Sequence, residues 1–243
     1  MKRIEFFWYF LIVFFIIQVN AFGGDKIIFG TFPIPGLVID EKHGALIELT
    51  RAIAERANFD IEVIVKPPKR ILGEFIGKKT DVLFPALDVN FSNPYEIIKS
   101  EGALYTKKDF IFTRRGEPLL TTIKDLEGKL VGLTLGYPYS KKLTENCMIR
   151  FDMALGDTNN VLKLINKRID AFVAEESTGL VALQKKGLIE KVQYDPTSPI
   201  SETRDYYAFH NNEKGQKLAK VISRILSEMK KDGTYAKIIN KKK

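Results

Sequence analysis

Two carboxylates end an apolar run in residues 166–179, NKRIDAFVAEESTG: Ala171-Phe172-Val173-Ala174 stops at Glu175 and Glu176, and Ser177-Thr178-Gly179 opens a helical pattern. Four apolar residues without alternation suit a strand covered on both faces, as in a parallel α/β sheet. Ligands bind open α/β sheets in the crevice outside the carboxyl ends of the strands, so Glu175 is expected to point into such a crevice. Residues 78–88 follow the same plan: Lys78-Lys79-Thr80-Asp81, the apolar run 82–87, then Asp88, with Asn90 close behind in a polar, turn-rich stretch. Two lobes, each offering an acid at a strand end, would face each other across a cleft. Carboxylates placed there could do acid/base work or hold a cationic group of a ligand, and binding is the simpler role.

Other chemistry is absent from the pattern. His43 and His210 stand alone, away from any cysteine or histidine at metal-ligand spacing, so no metal is expected. There is no P-loop, no G-x-G-x-x-G after a strand and no G-x-S-x-G elbow, so no nucleotide cofactor and no serine nucleophile are expected. Cys147 is the single cysteine, which excludes an internal disulfide, and it reads as a buried thiol rather than a nucleophile.

The elements that must position the two acids can be read in chain order. A short strand over 26–30 leads into Phe32-Pro33-Ile34-Pro35-Gly36, a proline-stiffened loop in which Phe32 is either a ring held over the crevice or a plug beneath the loop. Helix 44–58, strand 59–65, a helix begun by Pro67-Pro68 and closed by Gly77, and strand 81–86 complete β-α-β-α-β, half of a doubly wound sheet. Arg70 falls in the first turn of the second helix, where it could grip a ligand carboxylate in bidentate fashion or simply pair with Glu74 four residues on. Residues 114–118 read as a crossing to a second lobe, with strand 129–135, helix 157–167 and strand 171–174 following. Gly136-Tyr137-Pro138-Tyr139-Ser140 leads into a helix with Ser140 as N-cap. Glycine, hydroxyls and a helix start together could hold an anion, with Tyr137 or Tyr139 lining the pocket, although capping alone also explains Ser140. Residues 196–203 read as the second crossing, and a long amphipathic helix carrying Leu218, Val221, Ile222, Ile225 and Met229 ends the chain.

Met1-Lys2-Arg3 followed by an apolar run from Phe6 to Ile17 and a small residue at Ala21 has the layout of a secretory signal peptide, residues 1–21, and predicts a periplasmic protein. The remainder is long enough for two lobes of about 110 residues, lobe one from 25–113 plus 205–243 and lobe two from 117–203. Formal charge is +8, but lysines and arginines are spread over helix faces and a Lys241-Lys242-Lys243 tail without aromatic interleaving. No nucleic-acid partner is therefore expected.

The order of these elements resembles the periplasmic solute-binding proteins of the polar amino acid type, ABC-transporter family 3, with the type II fold of two doubly wound α/β lobes on a two-strand hinge. The matching words are 44–54 (GALIELTRAIA), 77–82 (GKKTDV), 125–132 (DLEGKLVG), 169–175 (IDAFVAE) and 230–238 (KKDGTYAKI), in the right order. The resemblance implies a monomer that binds a small polar solute and delivers it to a membrane permease, or to a receptor if it is a sensor. It also admits an enzyme, since cyclohexadienyl dehydratases resemble these proteins and use a cleft glutamate as general acid, the place Glu175 would take. Amino-acid binders of the family usually place an arginine after the third strand to grip the α-carboxylate. Here 88–94 reads DVNFSNP and has none, Asp88 standing where a hydroxyl residue is usual. Glu175 stands where the family has the aspartate that meets the ligand amine, one methylene longer. A subgroup with a proline-arginine pattern like Pro68-Lys69-Arg70 and a G-Y-x-Y loop like 136–139 makes Arg70 the alternative carboxylate ligand.

Overall fold

The computed structural model describes residues 26–91 and 93–240, so the expected signal peptide lies outside the described residues. Within them the chain forms β1 (Ile27–Thr31), α1 (Ala45–Ala57), β2 (Ile61–Val65), α2 (Pro68–Ile76), β3 (Val82–Ala86), β4 (Ile97–Lys99) and β5 (Tyr105–Arg114). There follow β6 (Leu130–Thr134), α3 (Lys141–Thr144), β7 (Arg150–Ala154), α4 (Asp157–Ile165), β8 (Ala171–Glu175) and α5 (Glu176–Lys186). The chain closes with β9 (Val192–Gln193), β10 (Ser201–His210), α6 (Glu213–Lys231) and α7 (Thr234–Ile239).

The strands lie in the order β2-β1-β3-β10-β5-β8-β6-β7, with β4 on β10 and β9 on β5. In one lobe β2, β1 and β3 are parallel and β10 closes them antiparallel; in the other β7, β6 and β8 are parallel and β5 closes them antiparallel. Both faces of each half-sheet are covered. Phe29, Phe84, Tyr207 and Phe209 pack with α1 and α6, and Leu83 and Ala208 with Ile71 and Phe75 of α2. In the second lobe Phe112 and Phe172 pack with Val161, Leu164 and Leu183 of α4 and α5, and Ile111, Val131 and Val173 with Leu126 and Leu143. This two-faced burial is why the strands read as unbroken apolar runs.

The two chain crossings are one structure. Ser201 to Asp205 of β10 pairs antiparallel with Asp109 to Tyr105 of β5, which ties the half-sheets together. Residues 115–118 lie in a turn beyond β5, and Phe110, Ile111 and Phe112 pack in the second lobe's clusters. The physical reason is strand length: ten-residue strands reach from one sheet into the other without leaving hydrogen-bonded register. Strands β4 and β7 escaped the sequence reading, since Ile97–Lys99 is three residues long and Arg150–Ala154 is a sheet edge in which only Ala154 is buried.

Gly132 on β6 sets the depth of α4. A Cβ there would lie 2.6 Å from Asn160 Oδ1 and 2.7 Å from Ile169 Cδ1, so glycine lets α4 sit close enough to bring Asp157 and Asn160 against the end of β6. Gly132→Ala is expected to destabilise the protein by roughly 1–3 kcal/mol through overpacking, seen as a lower denaturant midpoint at unchanged slope.

Candidate functional site

The carboxyl ends of β1, β3, β6 and β8 converge on the paired middle of β5 and β10, which forms the floor between the lobes. The lobes approach each other beyond this floor too. Gly36, in the loop after β1 with φ at 78°, is close enough to α5 that a Cβ there would touch Val181 Cγ2 at 3.6 Å.

Glu175 lies where expected, at the end of β8, and is buried. Its Oε2 accepts from the Ser177 hydroxyl at 2.6 Å and the Thr178 N–H at 3.0 Å, so it caps α5. Its Oε1 accepts from the Tyr105 hydroxyl at 2.6 Å. Burial first, and then the Glu175 charge, hold the Tyr105 phenol well above its ordinary pKa, so it stays a donor. Each oxygen of Glu175 thus serves the protein's own donors, the arrangement of a structural cap rather than of an acid presented to a substrate.

Asp88 is exposed and tied within its own lobe. It accepts from the Tyr206 hydroxyl at 2.7 Å and pairs with Lys99, whose hydrogen bond, ahead of that of Tyr206, lowers its pKa. Asn90 accepts from Leu87 N–H at 2.7 Å and shapes the turn after β3. Phe32 is half-buried and packs against the cluster that holds Ile71, Phe75 and Tyr206, nearer to the plug than to a free ring. Arg70 is 69% exposed, with Nε 3.4 Å from Glu74 Oε1, while Lys66 holds the same carboxylate at 2.7 and 2.9 Å. Because α2 follows the carboxyl end of β2, Arg70 stands at the cleft end of its lobe with its guanidinium only weakly engaged.

The loop after β6 departs from expectation. Ser140 opens α3, but α3 is a single turn, Lys141–Thr144, too short for a helix dipole to favour an anion. The Ser140 hydroxyl caps nothing and is buried without a partner. Tyr139 is structural: its hydroxyl accepts from Thr134 N–H at 2.8 Å and donates to Val173 O at 3.2 Å, clamping β6 to β8. Tyr137 is half-buried, its phenol pushed up to about 12 by burial and then by the Asp157 and Glu175 charges, which places it beside both acids.

The floor itself carries polar residues that the sequence reading passed over. Lys107 Nζ donates to Asp109 Oδ1 at 2.6 Å and to Pro138 O at 3.0 Å, and lies 5.5 Å from the centre of the Tyr139 ring. The other oxygen of Asp109 accepts from Ser201 at 2.6 Å, and Asp109 stands opposite Glu175 in the β5–β8 register. Asp157 accepts from Thr134 Oγ1 at 2.5 Å, and burial raises its pKa. Asp205, opposite Tyr105, is 6% exposed and its Oδ1 has no hydrogen-bond partner. Burial pushes its carboxyl up to about 7, against the pull of Lys107 and with the Glu175 and Asp109 charges adding to it. The available signal was Tyr105-Thr106-Lys107-Lys108-Asp109 leading into Phe110-Ile111-Phe112. Period two puts Tyr105, Lys107 and Asp109 on one face of a strand that is otherwise core.

Because Asp205 binds its proton more tightly when folded, its contribution to stability is present below the ordinary carboxylate range and lost as pH rises towards about 7. Taking about 1.4 kcal/mol per pH unit, the loss is on the order of 4 kcal/mol. Asp205→Asn is expected to remove it, so denaturation curves of the two proteins at pH 4 and pH 8 should show the variant gaining on the parent with pH. Parallel pH dependence would refute the assignment.

Residues 36–242 match the family model of bacterial extracellular solute-binding proteins, family 3. The chain is 25% identical over 227 residues, 85% of its length and 82% of the relative's, to a putative amino-acid ABC transporter-binding protein, PatH, of Vibrio harveyi. Among solved structures it is similar to the probable amino-acid ABC transporter extracellular-binding protein YtmK of Bacillus subtilis, with TM-score 0.74, 20% identity and coverage of 90% of this chain and 97% of that one. It is also similar to the GluR0 ligand-binding core of Nostoc punctiforme in complex with L-glutamate, with TM-score 0.70, 22% identity and coverage of 89% and 99%. With the two-lobed fold and the match over most of its length, the chain belongs to the bacterial extracellular solute-binding proteins, family 3.

Proposed function

We propose that the protein is a periplasmic receptor that binds a small amine-bearing solute, an amino acid above all, between its lobes and presents it to the membrane permease of an ABC transporter. The observation that carries the amine is the surplus of buried acid at the cleft floor: among the described residues the buried Asp109, Asp157, Glu175 and Asp205 are balanced by one buried base, Lys107. Buried carboxylates in such excess favour a ligand that brings positive charge. Family membership and the name of the Vibrio harveyi relative support amino-acid transport, and the layout of residues 1–21 supports export.

On this reading Arg70 swings from its loose contact with Glu74 to hold the α-carboxylate, in place of the arginine missing from 88–94. Closure about the β5–β10 pair excludes water from the solute, and Glu175 keeps its cap while Tyr137 borders the pocket. No covalent step is needed, and the protein acts as a binding module.

The test is a thermal-shift screen of residues 22–243 against the common amino acids, diamines and small carboxylates. A solute at a hundred times its Kd should stabilise by about 2.7 kcal/mol and raise Tm by several degrees. Arg70→Ala should abolish most of the shift given by α-amino acids and little of that given by a diamine. A panel in which no amine-bearing solute raises Tm would overturn the reading.

A further inference from the structure

Lys107, Asp109, Asp157, Glu175 and Asp205 are the buried acidic and basic side chains among the described residues. All five gather where β5 and β10 cross between the lobes, with Asp157 sensing the Lys107 and Asp109 charges from the start of α4. Three of the four acids are satisfied by the protein: Asp109 by Lys107 and Ser201, Asp157 by Thr134, and Glu175 by Tyr105, Ser177 and Thr178. Asp205 differs, because its Oδ1 is buried and meets no donor.

The donors on the neighbouring strands and helices are engaged elsewhere. On β5, Tyr105 gives its hydroxyl to Glu175, and Lys107 gives its ammonium to Asp109 and Pro138 O. On β10 the adjacent Tyr206 serves Asp88; on α7, Tyr235 serves Leu104 O, and on α6, Lys230 serves Ala103 O. The remaining charges that face Asp205 are Glu175 and Asp109, which repel it. A buried carboxylate oxygen without a donor is costly to keep, and a cationic donor arriving from outside would satisfy it.

We propose that Asp205 is the acceptor for a cationic N–H group of the solute, an ammonium or guanidinium, at the floor of the cleft, an inference that rests on the solute-binding reading above. A metal ion is the weaker occupant, since among the described residues no three His, Cys, Asp or Glu side chains are placed to share one. As the cation seats on Oδ1, the carboxyl releases its proton to solvent and the acid surplus falls. Cation binding therefore strengthens with rising pH through neutrality, and the release appears as a buffer-dependent heat.

Isothermal titration of residues 22–243 at pH 6, 7 and 8 tests this, with L-arginine, L-lysine and putrescine as cationic probes and L-glutamine and L-glutamate for contrast. The parent protein should bind at least one cationic probe about tenfold more tightly at pH 8 than at pH 6, releasing a proton at the lower pH. In Asp205→Asn that probe should bind roughly thirtyfold or more weakly with a flat pH profile. The variant's Tm at pH 8 should equal or exceed the parent's, which separates lost binding from lost fold. Cation affinity unchanged in the variant, or affinity in the parent that rises as pH falls, would overturn the assignment of Asp205. Because L-glutamine and L-glutamate also carry an α-ammonium, their binding at an affinity unchanged in Asp205→Asn, without any of the three cations, would overturn it while leaving the solute-binding function standing. Absence of heat from all five probes would overturn both.

Discussion

The antiparallel pairing of β5 with β10 is the constraint on which the rest of the molecule depends. Five residue pairs, from Ser201–Asp109 to Asp205–Tyr105, carry both crossings of the chain, so the backbone between the lobes is hydrogen-bonded within itself. Beyond this stretch each strand enters a sheet whose two faces are covered by helices or apolar turns. In the shared middle one face meets the cleft. That is why Tyr105, Lys107, Asp109 and Asp205 sit there, in the first halves of strands that turn aromatic and aliphatic only in their second halves.

The price of that arrangement is buried charge, and the fold meets most of it with short, local bonds. Glu175 is neutralised in effect by a hydroxyl, an N–H and a phenol, and Asp109 by a lysine two residues away on its own strand. These contacts hold the loops above the floor as well, since Lys107 reaches Pro138 O and Tyr139 ties β6 to β8. The tips of the second lobe are thereby fixed to the hinge strands before any solute arrives.

The sequence disclosed the α/β class, the two lobes and the acid at the end of β8, because each rests on a local pattern. The run of residues 171–174 must be covered on both faces, and Glu175 must follow it. Asp88 and Asn90 were found by position but not by role: the first is held by Tyr206 and Lys99 and the second by Leu87 N–H, and in both cases the partner's placement depends on the fold. Asp205 was invisible for a related reason. Between Arg204 and Tyr206 it reads as a solvated carboxylate, and only the register with Tyr105 and the approach of Glu175 bury it. Ser140 shows the opposite error, where a capping residue was legible but the helix it should cap runs for one turn.

The bond from Tyr105 to Glu175 joins the first-lobe end of β5 to the tip of β8, four positions further along the same strand. It spans the segment that must bend when the lobes part. On the proposed role of Asp205, selectivity and mechanics share one neighbourhood: a substitution at Asp205 that changed which solute is preferred would also alter the field around the Tyr105–Glu175 bond, and with it how readily the empty molecule opens. Retuning such a receptor towards a new solute is then a problem of two coupled equilibria, and variants chosen for affinity alone will drift in their resting shape.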